Sequence, residues 1–585
     1  MLYSTIPSAQ TLVYHCKLHD IQNIIISPGS RNAPLTISFS EDPFFNCYSI
    51  VDERCAAFFA LGIAQQQQKP VAVVCTSGSA LLNYYAAVSE AFYSDIPLVV
   101  ISADRPPYKI DVGDGQTIRQ DFVFDRHIGY SANLKLDVSH ATEKVRTQGK
   151  DLLDTSITIK EAQEKVQIYN DTELDKALSL AVKTLRPIHI NIPFEEPLYD
   201  TTEKQTVTPL VSGVQENTID VLAQISDFKA LWKSAKRKLV LVGVAYPNTL
   251  LDAYLNILAQ DDSVIVLTET TSNLHHPNFF PSIDSLIAPI EKSDQKEELF
   301  AALQPDVVLT FGGLIVSKKI KSFLRSYAPK QHWHVSPNKA YDTFFCLSHH
   351  FKTTAATFFN KFLENYINVK SNYYSYWNTI KINYEKKRVA YLKEISFSDM
   401  LAFHHIAKTI PKNYQLHLAN SSTIRYAQLF DIHTSIKVFC NRGTSGIDGS
   451  TSTAIGASIH AKEPTLLITG DLSFFYDSNG LWNNYMRPDF RIILINNSGG
   501  GIFRILPGKT NTENFETFFE TKHNLEASYL CRMYQIDYDL VEDENSLTKS
   551  LLDFYSSSKN AKLLEIKTPR LINDKILLSY FDFIS

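Results

Sequence analysis

Short apolar runs recur along the chain. Each closes on a small-residue turn and leads into a longer amphipathic stretch. NIIISPGSRNAPL occupies 23–35, VAVVCTSGSALLNYYAAVSEAF 71–92, IPLVVISADRP 96–106 and KLVLVGVAYP 238–247. The alternation returns in DVVLTFGGL (306–314), TLLITGDLSFFYDSNGLWNN (465–484) and FRIILINNSGGGIF (490–503). Strands buried on both faces read as continuous apolar runs, and a helix after each strand marks a parallel sheet. The pattern predicts an α/β chain of three doubly wound parallel-sheet domains, at 1–195, 200–350 and 395–585, with a helical linker at 351–394. Two polar zones punctuate it. One is 199–222; the other, 352–396, is rich in Lys, Asn and Tyr and reads as an amphipathic helix. The glutamine run at 65–68 reads as an exposed helix end. In the first domain, strand, TSGS turn and helix lead to VVISADRP. In the third, strand, GDLS turn and helix lead to ILINNSGG at a similar spacing. Two similar open sheets are expected, with ligands at the carboxyl ends of their strands.

Composition narrows the class. A chain of 585 residues with 44% hydrophobic and 20% charged residues is an ordinary globular protein of roughly three to five domains. The net charge of -5, from 57 basic and 62 acidic residues, gives no field for nucleic acid. Any anionic ligand must be held by a local site. Seven scattered cysteines without a CxxC pair argue against a disulfide framework or a zinc site. The N-terminal MLYSTIPSAQ has no basic region before an apolar run, and the longest apolar stretches are strand-length. A cytoplasmic chain without membrane insertion is expected.

The densest chemical signal is Gly470-Asp471-Leu472-Ser473, followed after a helix-like stretch and the strand RIILI by Asn496-Asn497. Asp471 and Asn497 then both fall just past strand ends. A carboxylate and an amide oxygen suit a hard cation such as Mg²⁺, which takes its remaining ligands from phosphate and water. The helix after the GDLS turn would offer its first amides to those phosphates. Asp is also a favoured helix cap, so the spacing to the second Asn carries more information than the GD pair alone. A second signal is VDERCAAFFALGIA (51–64), which places Glu53 at the start of an apolar helix.

The GD, gap and NN arrangement resembles the diphosphate-binding motif of thiamine diphosphate enzymes, with Leu472 where many members have a second glycine. SPGSR (27–31), SGS (77–79), ADRPP (103–107), GDGQTIRQ (113–120), LANSSTIR (418–425), NRGTSGIDGSTSTAIG (441–456) and GGGIFRILP (499–507) resemble one branch of that family, the 2-succinyl-5-enolpyruvyl-6-hydroxy-3-cyclohexene-1-carboxylate synthases. The resemblance is dense over the first and third domains and weak over 200–395. It implies a pyrimidine-binding first domain, a middle domain and a diphosphate-binding third domain. It implies thiamine diphosphate with Mg²⁺ or Mn²⁺, the metal held by Asp471, Asn497 and the carbonyl of Gly499. Glu53 would hydrogen-bond the aminopyrimidine and promote loss of the thiazolium C2 proton. Ser77, Gly78, Gly470, Leu472 and Ser473 would line the cofactor, Ile447 would wedge it into a bent shape, and Ile502 and Phe503 would wall the thiazolium.

The reaction implied joins decarboxylated 2-oxoglutarate to isochorismate by 1,4-addition, in menaquinone biosynthesis. Both substrates are dicarboxylates, and arginine pairs bidentately with carboxylate. The implied substrate contacts are Ser30, Arg31, Arg105, Gln116, Ser421, Arg425 and Arg442, with Ile502 and Phe503. The branch also uses a middle-domain lysine. Lys292 and Lys296 lie near its place but in no matching motif, so the role stays empty. The cofactor site between two chains implies a homodimer or homotetramer. The competing reading is another thiamine diphosphate-dependent 2-oxoacid decarboxylase or carboligase. A dinucleotide oxidoreductase is disfavoured, because no GxGxxG follows a strand and opens a helix.

Overall fold

The computed structural model describes residues 2–210, 224–505 and 512–585. Part of the polar zone at 199–222 and the last two residues of GGGIFRILP lie outside the described residues. The chain forms two compact units. One comprises 1–216 together with 443–462 and 476–487; the other comprises 217–442, 463–475 and 488–585.

The first unit is built on a six-stranded parallel sheet. Its strands are β2 (Asn23–Ile26), β3 (Asn46–Ser49), β4 (Val71–Cys75), β5 (Leu98–Asp104), β6 (Tyr130–Asn133) and β7 (Ile188–Pro193), in the order β3-β2-β4-β5-β7-β6. A two-residue strand β1 (Tyr3–Ser4) pairs antiparallel with β8 (Thr201–Thr202). Every residue of β2, β4, β5 and β7 is buried, which is why β2, β4 and β5 read as largely apolar runs, while β7 buries His189 and Asn191 as well. The long helix Ile159–Thr184 begins at a capping box between Thr158 and Glu161. Its Asp171 takes a 2.9 Å hydrogen bond from buried His15 on the helix Pro7–Leu18.

The helix Glu53–Gln67 meets the helix Ser450–Ser458 at very short range. A Cβ on Gly62 would lie 2.1 Å from the Thr453 carbonyl oxygen, and one on Gly456 would lie 2.0 Å from that of Phe59. Two glycines, one on each helix, therefore let the backbones touch. The glutamine run closes the first of these helices. Gln68 is the exposed left-handed cap at φ 50°, but Gln65 is buried, so only the end of the run is surface.

The second unit carries two parallel sheets. The five-stranded one contains β9 (Lys238–Val242), β10 (Val264–Leu267), β11 (Val307–Phe311), β12 (Gln331–Val335) and β13 (Leu347–Phe351), ordered β10-β9-β11-β12-β13. The six-stranded one contains β14 (Gln415–Leu418), β15 (Lys437–Phe439), β16 (Thr465–Gly470), β17 (Arg491–Asn496), β18 (Asp537–Val541) and β19 (Lys562–Lys567), ordered β15-β14-β16-β17-β19-β18. Renumbered within each sheet, both six-stranded sheets read 2-1-3-4-6-5. In each the order turns at the first strand and opens a crevice at the carboxyl ends of the first and third. Residues 27–31 and 76–78 flank this crevice in the first unit; 419–421 and 471 flank it in the second. The Lys/Asn/Tyr-rich zone forms the helices Ala355–Phe362 and Tyr373–Tyr391. The second buries Tyr373, Trp377, Tyr384, Arg388 and Tyr391, a helical stripe that explains the amphipathic reading.

All seven cysteines are free thiols. Among the described residues no helix is long and apolar enough to cross a membrane. His349 packs on Phe228 and Phe351, and His405 pairs with Glu544 at 2.8 Å.

Candidate functional site

In the first unit, Asp52 caps the helix Glu53–Gln67 by accepting the Cys55 amide at 3.1 Å. That spares Glu53, the next residue, from the capping role. Glu53 is partly buried, takes the Asn83 amide at 3.4 Å, and its charge reaches Cys75 and Tyr84 below it. The turn after β4 carries Ser77 and Gly78. Ser77 is buried and its Oγ has no hydrogen-bond partner. Gly78 sits at φ 91°, and a Cβ there would press on the Gln116 backbone at 3.2 Å, so the Gly78 turn and the Gln116 loop lie together. Gln120, buried and not predicted, ties them: its Oε1 accepts the Gly78 amide at 2.8 Å, and its Nε2 donates to Asn191 at 2.9 Å.

Arg31 is 3% exposed. It donates to the Phe194 carbonyl at 3.0 Å and to Glu196 at 3.1 Å. Arg105 follows β5 and donates to the Gly115 carbonyl at 3.2 Å. Burial first, then the neighbouring Arg105 charge, pulls the Arg31 guanidinium below its ordinary value. Ser30 and Gln116 are exposed beside them. Ile447 is half-buried, just ahead of Gly449, whose φ of 69° and missing Cβ accommodate the Phe58 ring.

In the second unit the GD and NN motifs converge, although 25 residues separate Asp471 from Asn497. Asp471 is 3% exposed; its Oδ1 accepts the Leu472 amide at 2.7 Å and its Oδ2 accepts the Gly499 amide at 2.9 Å. Asn497 donates through Nδ2 to Asp399 at 2.9 Å, and its Oδ1 is buried without a partner. Gly499 sits at φ 148°, where a Cβ would strike the Glu520 carbonyl at 2.7 Å; its own carbonyl accepts the Gly501 amide at 3.0 Å. Above Gly470 a Cβ would meet only Thr423 Oγ1, at 3.8 Å. An unpaired buried amide oxygen, a buried carboxylate and open room over a glycine fit a hard cation carrying phosphate oxygens. The helix Asp471–Tyr476 is only six residues long, and the Asp471 side chain already holds its first amide. The expectation of a phosphate-binding helix start is thus reduced.

Several partners here were not foreseen. Burial pushes the Asp399 carboxyl up to about 6, against donors from Thr568 at 2.5 Å and Asn497. His523 Nε2 lies 3.3 Å from Asp471. Ile502 and Phe503 are partly exposed in the turn Gly501–Ile505, and a Cβ on Gly500 would meet Phe503 at 3.1 Å and Leu472 at 3.3 Å. Ser473 is buried.

Ser421 adopts φ 68°, a conformation L-residues avoid, at the start of the helix Ser422–Ala427 that carries Arg425. Arg442 donates to Asn420 at 2.7 Å. Arg425 and Arg442 share one electrostatic cluster with Glu269, Asp284 and Lys321. Glu269 is fully buried, accepts the Val316 and Ser317 amides, and is pushed by burial up to about 7. Lys292 and Lys296 are elsewhere: Lys292 pairs with Asp582 and Lys296 with Glu297, all on the surface. A middle-segment lysine whose charge does reach these arginines is Lys321, on the helix Lys318–Ser326 that follows β11.

Two family profiles match. The thiamine pyrophosphate enzyme, N-terminal TPP binding domain covers residues 8–123, and the middle domain of thiamine pyrophosphate enzymes covers 218–418. Among curated relatives, the chain is 55% identical to the 2-succinyl-5-enolpyruvyl-6-hydroxy-3-cyclohexene-1-carboxylate synthase of Christiangramia forsetii, over 100% of both chains. The synthase of the same name from Flavobacterium johnsoniae is 51% identical over 99% of each. That of Porphyromonas gingivalis is 35% identical over 100% of this chain and 98% of the relative.

Proposed function

The chain belongs to the 2-succinyl-5-enolpyruvyl-6-hydroxy-3-cyclohexene-1-carboxylate synthase family of thiamine pyrophosphate enzymes, and from this we propose that it decarboxylates 2-oxoglutarate and adds the remaining four-carbon unit to isochorismate. The step belongs to menaquinone biosynthesis. Balance requires one CO₂ released per C–C bond formed. The observation that carries this reading is the pairing of 55% identity over the full length with the buried, unpartnered Asn497 oxygen two residues before the Gly499 amide that Asp471 accepts.

Thiamine diphosphate, when bound, would supply the electron sink for loss of CO₂, which makes the former 2-oxo carbon of 2-oxoglutarate the nucleophile that bonds to isochorismate. Asp471, Asn497 and the Gly499 carbonyl would hold Mg²⁺ or Mn²⁺, with Gly470, Leu472 and Ser473 along the diphosphate. Glu53 would hold a proton at the aminopyrimidine ring nitrogen, with Ser77 and Gly78 next to it and Ile447 shaping the cofactor. Ile502 and Phe503 would exclude water from the reacting carbon. Arg31 and Arg105, with Ser30 and Gln116, and Arg425 and Arg442, with Ser421, would orient substrate carboxylates. Three α/β domains at 1–195, 200–350 and 395–585 remain our division of the chain.

We also infer a homodimer or homotetramer and a cytoplasmic location. The exposed Phe518, Tyr529 and Met533 support assembly, because so many large apolar side chains in one stretch suit burial by another chain. The reading is tested by an assay with thiamine diphosphate and Mg²⁺, run on 2-oxoglutarate with and without isochorismate. Consumption of isochorismate in step with CO₂ release is expected. Decarboxylation indifferent to isochorismate would assign the chain to another carboligase.

A further inference from the structure

Two consecutive glutamates follow β7, and the structure treats them differently. The Glu195 side chain is 0% exposed. It accepts the Tyr108 hydroxyl at 2.5 Å, the Lys109 ammonium at 2.9 Å and the Glu196 amide at 2.9 Å. Glu196 is 50% exposed, yet its Oε1 lies 3.1 Å from Arg31 Nη2 and 3.9 Å from Arg105 Nη1. Lys144 stands 4.0 Å from its other oxygen. A guanidinium that is nearly buried thus has a counter-ion that is half in water. The contact uses one oxygen, whereas a dedicated arginine–carboxylate pair is bidentate. Arg31 and Arg105 also each keep a buried Nε with no acceptor. Two adjacent cations with unspent donors are a carboxylate receptor, and Glu196 occupies its outer edge.

We propose that Glu196 is an internal stand-in for a substrate carboxylate, compensating the Arg31–Arg105 pair before substrate arrives and turning out to solvent when the substrate carboxylate takes its place. This rests on the function proposed above, and it adds a residue that sets affinity by competition. Glu195 is the fixed anchor beside it and does not move. Both 2-oxoglutarate and isochorismate carry the required group, so the experiment has an arm for each.

Holoenzyme of the parent and of Glu196→Gln is compared in KM for 2-oxoglutarate and, separately, for isochorismate. A half-exposed ion pair of this kind is worth about a threefold to fivefold change in binding. KM for the substrate that docks here is expected to fall by that factor, with the change in KM and not in kcat. A rise in either KM, or no change in both, would overturn the proposal, since Glu196 would then support Arg31 and not compete for it. Calorimetric titration with succinate gives a second reading that needs no turnover: tighter binding by Glu196→Gln and Glu196→Ala supports the proposal, and equal or weaker binding overturns it. If the parent consumes neither substrate, the proposed function fails, and the succinate titration still decides the role of Glu196.

Discussion

Asn497 shows how much chemistry one side chain can divide. Its amide nitrogen donates to Asp399, which orients the side chain, while its oxygen stays buried without a partner two residues before the Gly499 amide that Asp471 accepts. Partners that orient a metal ligand typically carry about 10- to 100-fold of metal affinity. Asp399→Asn is therefore expected to raise the Mg²⁺ concentration needed for thiamine diphosphate binding by that factor, read by calorimetry, with the fold checked by circular dichroism. Unchanged Mg²⁺ dependence would remove Asp399 from the site. Glu53→Gln is expected to slow decarboxylation of 2-oxoglutarate by about 10²- to 10⁴-fold, the usual weight of a positioned acid or base. A variant releasing CO₂ at the parent rate would end that assignment. Asp471 and Asn497 were readable because strand, turn and strand keep them at a fixed spacing. Asp399 lies 98 residues from Asn497, and Glu269 lies 47 and 48 from the amides it accepts; nothing local marks such pairs. Nothing in the sequence separates Glu195 from Glu196, since only folding decides which of two neighbours is sealed in.

At the level of elements, the parallel strands and their turns were legible, because burial on both faces leaves a continuous apolar signature. The matching strand order of the two six-stranded sheets was foreshadowed by their similar strand-turn-helix spacing. What the pattern could not reveal was the contact between the helices Glu53–Gln67 and Ser450–Ser458, which depends on two glycines of unremarkable appearance. Side chains there have no room, because the obstacle is backbone and not a movable rotamer. Gly456→Val is expected to cost at least about 1–3 kcal/mol, the range for overpacking, read as a lowered urea midpoint. A midpoint equal to that of the parent would show that the two helices can separate freely.

Across the whole molecule, a net charge of -5 places the burden of anion binding on local cations, and the structure collects them beside fixed carboxylates. Glu195 gives this a pH signature. Burial opposes its charge, but the Tyr108 hydroxyl, the Lys109 ammonium and the Glu196 amide outweigh that and hold it down at about 2. A depressed carboxylate stabilises the fold above its unfolded value, near 4.3, and that contribution is lost as pH falls from there through about 2. Glu195→Gln is expected to be less stable than the parent by about 1–3 kcal/mol at pH 7, the weight of hydrogen bonds to a charged group, with the gap closing below pH 4. Urea titrations at both pH values check it; a gap that widens in acid would reverse the sign. The three sheets were visible in sequence, whereas the membership of the compact units was not, because 443–462 and 476–487 join the first unit by packing and not by position in the chain.

That membership has a consequence for how the protein is made. On the ribosome, the helix Glu53–Gln67 emerges early with its Phe59 and Gly62 face uncovered. Its partner Ser450–Ser458 is still unsynthesised, and at about 5–20 residues/s it follows only after some tens of seconds. Throughout that interval the nascent N-terminal segment is an unfinished product, offering chaperones an apolar helix face that its own chain has not yet supplied the means to close.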